Sequence, residues 1–592
     1  MKLVLPLFLL LVLAGCLFFV GLGSLPLLEP DEGRNGEVAR EMLASGDWIT
    51  PHYDGLPYLD KPVVFFWLVA SSFKLAGLHE WSARAPSALM GLCLLLLSWS
   101  LARRMFGDST AVRAGLVIAT APLVIIFTRL VIFDMTLAFF VTLAMVSFWF
   151  AESVEFRRPL LDMLIFLAMG LAAITKGPVG FLLPLLSITV YQALRGKLRE
   201  LKRLRWGLGC AVFVATVLPW FISISIRFPD FPRYALVEES LARFAGGLVH
   251  RKGGLLYYFP VYLAGFFPWS LFLLWAGWNR HKRWKEIWLE QNRSTLFLLT
   301  WSVVTFVFFS ASQSKLPGYF LPAIVPLGIL MARAWDDVAS SGATRSPDWL
   351  TAGFASLLGV GLIVAASSQL AIFSPARSHL ARKVYPAVFV MLKPSVLYAG
   401  LILAALAVVG RNIAARAHGR SLSVAAFLLL ALTTPMLLAR WITPLRAYAN
   451  SISSRRLADT ILSSPEKDLP VYGYYYFRTS LPFYLRRPVG LVTTGAGELT
   501  SNYLAWRVRE IRHQSSSEAA PKTLARAFKE LDPLPVDQRR VLDVRELIDL
   551  TRASTQPRLI VVRNTHVSLL AHDVDRVEPL WTGWGFSVWK IP

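Results

Sequence analysis

PDEGRNGEVAREMLASGDWITPHYDGLPYLDKP, residues 30–62, decides how this chain is to be read. The stretch gathers Asp31, Glu32, Arg34, Glu37, Arg40, Glu41, Asp47, Asp54, Asp60 and Lys61 between two strongly hydrophobic regions. Carboxylates, guanidinium groups and a lysine at a membrane boundary are costly beside lipid unless they act on something charged. The rest of the chain reads as a scaffold for this loop.

Outward from the loop, the composition is that of an integral membrane protein. Of 592 residues, 55% are hydrophobic and only 17% charged, with mean hydropathy +0.51, against roughly 25% charged in a soluble domain. About thirteen apolar segments are long enough to be read as spans of ~30 Å of hydrocarbon: 3–23, 80–106, 109–127, 134–152, 159–174, 176–194, 206–226, 257–278, 295–311, 317–334, 349–370, 388–409 and 422–440. The segment 63–77 is too short for a span and reads as a juxtamembrane or re-entrant helix. The net charge of +23 is explained by topology rather than by nucleic acid. With the N-terminus cytoplasmic, Arg103, Arg104, Arg113, Arg195, Lys197, Arg280, Lys282, Arg411 and Arg416 fall in inner loops, as the positive-inside rule requires. That assignment puts the 30–62 and 227–256 loops and everything after about 441 outside.

Residues 1–440 read as the membrane domain, with 24–79 as its first outer loop, and 441–592 as a small extracytoplasmic α/β domain. In the latter, strand-like runs stand at 471–477 and 558–562 and helical patterns at 522–531 and 544–551. Within the first loop, Asp31 reads as an N-cap, and Val38, Ala39, Met42 and Leu43 as one apolar face of an interfacial amphipathic helix closed by Gly46. Glu37 and Glu41 read as its solvated face. Cys16, Cys93 and Cys210 all lie in predicted spans, giving neither a disulfide framework nor a thiolate metal cluster. Leu13-Ala14-Gly15-Cys16 resembles a lipoprotein cleavage box, but the apolar run continues past it, as in an uncleaved start-transfer helix.

Five polar constellations fall on the outer side: Asp31-Glu32 with Arg34; Asp60-Lys61; Arg129 with Asp134; Thr175-Lys176-Gly177-Pro178; and Gln313 to Tyr319, which contains Lys315. The 227–256 loop adds Arg243, His250, Arg251 and Lys252. Each has a structural alternative. Asp31 and Asp134 could serve only as helix caps, Lys176, Lys315 and Arg129 could snorkel to the interface, and His250 reads as a loop residue. Their coincidence on one face favours a phosphate ligand, for which lysine offers a point charge and arginine a bidentate fork. Neighbouring carboxylates suit a general base or stabilisation of an oxocarbenium ion. No Walker motif or glycine-rich nucleotide cradle is present, so the donor is expected to be lipid-borne. A flippase would place ionisable groups near the midplane in broken helices, whereas here they stand at helix ends.

Taken together, Asp31-Glu32-Gly33-Arg34, Arg40 to Pro51 and Tyr58 to Trp67 resemble the lipid-phosphosugar glycosyltransferases of the protein O-mannosyltransferase superfamily, most closely the bacterial branch that transfers aminoarabinose to lipid A. Ser82-x-Arg84-x-Pro86, Asp134, Thr175 to Pro178, Phe267-Pro268-Trp269 and Ser314 to Tyr319 add to the resemblance, which covers about residues 25–335. It implies a polytopic GT-C fold and inverting transfer of a sugar from a polyprenyl phosphate carrier to a lipid or glycan acceptor. Asp31 would be the principal catalytic carboxylate and Asp134 the second. Lys61 would hold the carrier phosphate with Arg34, Lys315 and Tyr319, and Asp60 and His250 would complete the substrate site. No cofactor is required by this scheme, although Asp31 and Glu32 could hold a divalent cation. The chain departs from the family pattern at Asp60, where glutamate is usual, and at Asn35, both in the donor pocket.

Overall fold

The computed structural model describes residues 4–152, 159–242, 244, 253–340, 348–369, 386–415, 420–495, 497–514, 520–553, 556–583 and 585–592. The chain divides into two compact units, one of Met1–Leu22 with Arg84–Leu445 and the other of Gly23–Ala83 with Arg446–Pro592. The first loop thus does not group with the membrane helices, as a boundary at residue 440 would require. It is built into one body with the C-terminal residues.

All thirteen apolar segments contain helix, but they do not all make straight spans. Among the described residues nine helices are long and apolar enough to cross a membrane. Two further segments are bent pairs: Asp108–Ala119 with Pro122–Thr128, at 64°, and Leu255–Gly265 with Trp269–Asn279, at 112°. Pro122 and Pro268 stand at these breaks, where a missing amide hydrogen and a fixed φ end the preceding helix. Val4–Phe19 and Val179–Leu194 are shorter, at 16 residues each. Among the described residues the count is nine, or eleven if each bent pair is one span, and the two short helices are the remainder of the thirteen segments. In this helical unit Arg129 donates to the carbonyls of Leu17 and Val20, both at 2.9 Å, and Arg84 to that of Leu22 at 2.9 Å. These two cations satisfy backbone acceptors at and beyond the end of the first helix.

The mixed unit has a six-stranded sheet. Its strands are β3 (Val471–Tyr474), β4 (Gly490–Val492), β5 (Val541–Leu542), β6 (Arg558–Arg563), β7 (Glu578–Thr582) and β8 (Phe586–Ile591), in the order β5-β4-β3-β6-β8-β7. A two-stranded hairpin, β1 (His52–Tyr53) and β2 (Leu56–Pro57), lies earlier in the chain. The strands from β5 to β6 are parallel, and they are buried along nearly their whole length, as a sheet covered on both faces demands. Strands β8 and β7 add on antiparallel. Tyr472, Tyr474, Val492, Leu542, Ile560 and Val562 form the centre of the core.

The helix Asp31–Ser45 belongs to this unit and is not a surface amphipathic helix. Glu32, Asn35, Glu37, Arg40 and Glu41 are buried along with Val38, Ala39 and Met42. Glu37, expected on a solvated face, is 0% exposed, and both its oxygens accept from Arg40, at 2.7 and 2.6 Å. Glu41 accepts from the amide of Gly55 at 3.0 Å. The charge pattern that looked like a wet helix face is an internal polar network, as buried charges require partners.

Candidate functional site

The predicted site residues fall into two clusters, one in each unit. In the mixed unit, Asp31 opens its helix without capping it and pairs instead with Arg34, Oδ1 to Nη2 at 2.5 Å. The Asp31 side chain is 39% exposed and that of Arg34 19%, so the carboxylate is the accessible member of the pair. Arg34 also lies over the Tyr58 ring at 5.6 Å and donates to the Thr500 carbonyl at 3.4 Å. Burial works against its charge, but Tyr58, Asp31, Asp60 and Tyr53 together hold its pKa above the ordinary arginine value. A cation fixed in this way is a permanent counter-charge for an anion. Lys61 is partly exposed, and its Nζ donates to the Asp60 carbonyl at 2.9 Å.

Asp60 has a different occupation from the one predicted. It is 3% exposed, and its carboxylate accepts from Ser501 Oγ at 2.9 Å and from the amides of Asn502 and Tyr503 at 2.7 and 2.8 Å. It therefore caps the helix Asn502–Gln514, meeting the positive end of that helix, and anchors the segment that carries Lys61. Glu32, the other carboxylate read as a possible cation ligand, is turned inward. It is 1% exposed and accepts from the Leu28 amide at 3.0 Å. No group of three or more metal-ligating side chains stands together among the described residues.

In the helical unit, Asp134 accepts from Lys176 Nζ at 2.6 Å, with side chains 6% and 10% exposed. The same ammonium sits 4.3 Å from the Tyr319 ring centroid. Gly318 makes this closeness feasible, since a β-carbon there would lie 2.5 Å from Asp134 Oδ1. Three separate motifs, those of Asp134, Lys176 and Gly318-Tyr319, thus meet in one cluster. Lys176 belongs to it although the sequence reading left it out of the site. Arg129, predicted beside Asp134, is instead engaged at Leu17 and Val20.

Lys315 is 5% exposed, and its Nζ donates to the carbonyls of Ser310 and Ser312 at 2.6 and 2.5 Å. It satisfies acceptors at the end of the helix Arg293–Ala311, and burial holds its pKa below the usual lysine value. This is the part of a structural cap. His250, with Arg243, Arg251 and Lys252, lies outside the described residues.

A second acidic group in the mixed unit has consequences for pH. Burial raises the Glu37 carboxyl well above its ordinary value against the pull of Arg40. Burial and then Glu41 raise Asp54, opposed by the Val489 amide and by Arg540 and Arg40. Groups with a raised folded-state pKa give stability that is complete below the unfolded carboxyl value of about 4 and is lost as pH rises through the folded value. The thermal midpoint of the purified chain should therefore fall between pH 5 and pH 8. Asp54→Asn, which keeps an acceptor for Val489 and cannot ionise, should flatten that slope. A parallel slope in wild type and variant would remove Asp54 from the account.

A many-helix membrane scaffold carrying acidic and basic clusters, joined to a mixed α/β unit, defines the GT-C class of membrane fold, and residues 7–235 match the family model for dolichyl-phosphate-mannose-protein mannosyltransferase. The chain belongs to the undecaprenyl phosphate-α-4-amino-4-deoxy-L-arabinose arabinosyl transferase family. It is 33% identical over 387 residues to the Aeromonas salmonicida member, covering 64% of this chain and 67% of that protein. It is 33% identical over 343 residues to one from Pseudomonas fluorescens, covering 57% and 61%. The crystal structure of ArnT from Cupriavidus metallidurans bound to undecaprenyl phosphate superposes with a TM-score of 0.79 at 26% identity, covering 99% of this chain and 97% of that one. By sequence, the chain spans less than two thirds of the length of most of the curated relatives it matches.

Proposed function

We propose that this protein is an inverting glycosyltransferase of the inner membrane that moves 4-amino-4-deoxy-L-arabinose from a polyprenyl monophosphate carrier to lipid A. The N-terminus is cytoplasmic, and the mixed unit works on the periplasmic side, in keeping with the basic residues of the alternate loops. The observation that carries the reading is the accessible Asp31 carboxylate held against the fixed Arg34 cation, on the helix that leads into the Asp60-Lys61 turn. The names of the relatives and the undecaprenyl phosphate in the Cupriavidus structure support the choice of donor.

In this mechanism Lys61 and Arg34 bind the carrier phosphate and stabilise the charge that builds on it as the C1–O bond breaks. The acceptor oxygen attacks C1 from the opposite face, and the carrier leaves as its monophosphate. If that oxygen is a hydroxyl, its proton passes to Asp31. If it is a lipid A phosphate it is already anionic, and Asp31 orients it and supports positive charge at C1. Within the helical unit, Asp134, held by Lys176 with Tyr319 closing over the lysine, is the acidic group assigned a part in the reaction. No step calls for a metal ion.

Membranes containing the full chain should transfer sugar from undecaprenyl phosphate-aminoarabinose to lipid A, and not to a Ser/Thr peptide supplied in its place. Transfer to peptide alone would move the protein to the mannosyltransferase side of the superfamily. Lys61→Ala should weaken binding of undecaprenyl phosphate about 10- to 100-fold, the loss of one charge-assisted contact. Unchanged affinity would take Lys61 out of the phosphate site. Gly318→Ala should drive a methyl group into Asp134 and lower transfer about 10- to 100-fold, because sub-ångström displacement of a reacting group is costly. Wild-type turnover in that variant would detach the Asp134 cluster from the chemistry.

A further inference from the structure

We infer that Glu29, which the reaction scheme does not use, is the positioning residue that fixes Asp31, and that it does so by clamping the start of the Asp31 helix to the segment Arg478–Ser480. The inference rests on the proposed reading of Asp31. Glu29 Oε1 accepts from Ser454 Oγ at 2.7 Å, from the Ser480 amide at 3.0 Å and from Ser480 Oγ at 2.5 Å. Oε2 accepts from the Thr479 amide at 2.7 Å and from Thr479 Oγ1 at 2.5 Å. Arg478 stands 3.9 Å from Oε1, and its own guanidinium is fixed on Ser454 Oγ and the Ile452 carbonyl, both at 3.1 Å. Three hydroxyls and two successive backbone amides aimed at one carboxylate form a built anion socket, filled by a side chain of the same protein.

The socket holds Asp31 from both sides. Glu29 precedes Asp31 by two positions, and Gly33 follows it by two. Gly33 packs so closely on Ser480 that a β-carbon there would lie 2.5 Å from Ser480 Cβ and 2.6 Å from its Cα. Between these anchors the backbone is tied by Arg34 N to Pro30 O and Gly33 N to Leu28 O, both at 3.2 Å, and Glu32 reaches back to the Leu28 amide. The Asp31 side chain is thus left exposed on a backbone that is secured immediately before and after it. Such a support fixes the direction of a reacting carboxylate. It acts through Asp31 and makes no contact with substrate.

Both oxygens are needed. A glutamine at position 29 keeps one acceptor oxygen and presents an NH2 group to the other set of donors, so one of the Thr479 and Ser480 amides would face a donor. The purified full-length chain is therefore compared with Glu29→Gln, Ser454→Ala and the double variant. Measured are thermal midpoint, undecaprenyl phosphate affinity, and kcat for sugar transfer to lipid A per folded molecule. Glu29→Gln should lower kcat about 10- to 100-fold while affinity for undecaprenyl phosphate stays within about threefold of wild type. Ser454→Ala, which removes a single hydroxyl, should lower kcat less, and should add little when combined with Glu29→Gln, because both act on one clamp.

The inference is overturned if Glu29→Gln turns over at the wild-type rate, if its lost activity merely tracks a lost folded fraction, or if the two substitutions act independently. If Glu29→Gln does not fold, Ser454→Ala decides alone: reduced kcat with unchanged melting supports the clamp, and full kcat overturns it. Failure of the underlying reading shows separately, as transfer that persists in Asp31→Asn.

Discussion

Asp31→Asn is expected to reduce sugar transfer by about 10²- to 10⁴-fold, the range associated with loss of a positioned acid or base, while leaving the protein folded. The substitution preserves shape and an oxygen for Arg34 Nη2, which now lies 2.5 Å from Oδ1, so packing around the pair should persist. What disappears is the negative charge. Asparagine cannot take the acceptor proton, and it gives no support to positive charge at the anomeric carbon. It also leaves the buried side of Arg34 with less compensation, since Asp31 is one of the groups that hold that guanidinium charged. Affinity for undecaprenyl phosphate should therefore rise or stay level while kcat falls. The check is single-turnover transfer from undecaprenyl phosphate-aminoarabinose to lipid A, with thermal melting run in parallel. Turnover within a few-fold of wild type would end the assignment of Asp31 as the reacting carboxylate.

The largest effect on stability should come from Arg40→Leu. Glu37 is entirely inaccessible, and Arg40 supplies bonds to both of its oxygens, at 2.7 and 2.6 Å. Removing one partner of a buried ion pair strands the other charge, at a cost of about 3–5 kcal/mol. Burial already raises the Glu37 pKa despite the arginine, so without Arg40 the stranded group escapes by taking a proton. The defect should accordingly be severe at pH 8 and partly relieved near pH 5. Glu37→Leu/Arg40→Leu, which removes both charges, should recover much of the loss. The readout is the melting midpoint of the purified chain at the two pH values. A single variant as stable as wild type at pH 8 would show that Glu37 finds another partner.

Legibility in the sequence followed the physics of each signal. Hydropathy over a window reports the environment of a whole helix, so the apolar segments were readable. The breaks at Pro122 and Pro268 were not, because they depend on where the preceding helix stops. Strand-like runs at 471–477 and 558–562 became β3 and β6, since β-branched and aromatic residues in a short run fit a buried parallel sheet. The helix Asp31–Ser45 was readable as a helix but not as a buried one. Its surface composition is polar, and only the partners of Glu37, Arg40 and Glu41 reveal that its polar face is internal. Lys315 and Asp60 look in sequence like ligands for a charged substrate, yet lie on the carbonyls and amides of helix ends. A lone charged residue beside a helix terminus carries the same local signature in either role. Lys176 could have been selected from its motif, but its bond to Asp134 spans 42 positions, and no local pattern encodes such a pairing. Glu29 gave no signal, because every donor it meets lies more than 400 positions away.

That last separation bears on biosynthesis. Glu29 and Thr479 are 450 residues apart, and a ribosome adding about 5–20 residues per second needs roughly 20–90 s to make the stretch between them. Throughout that interval the DEGR segment has left the ribosome without its socket. The clamp on the Asp31 helix can close only in the last fifth of translation, so a message truncated anywhere before Ser480 yields a chain in which that helix is unsecured.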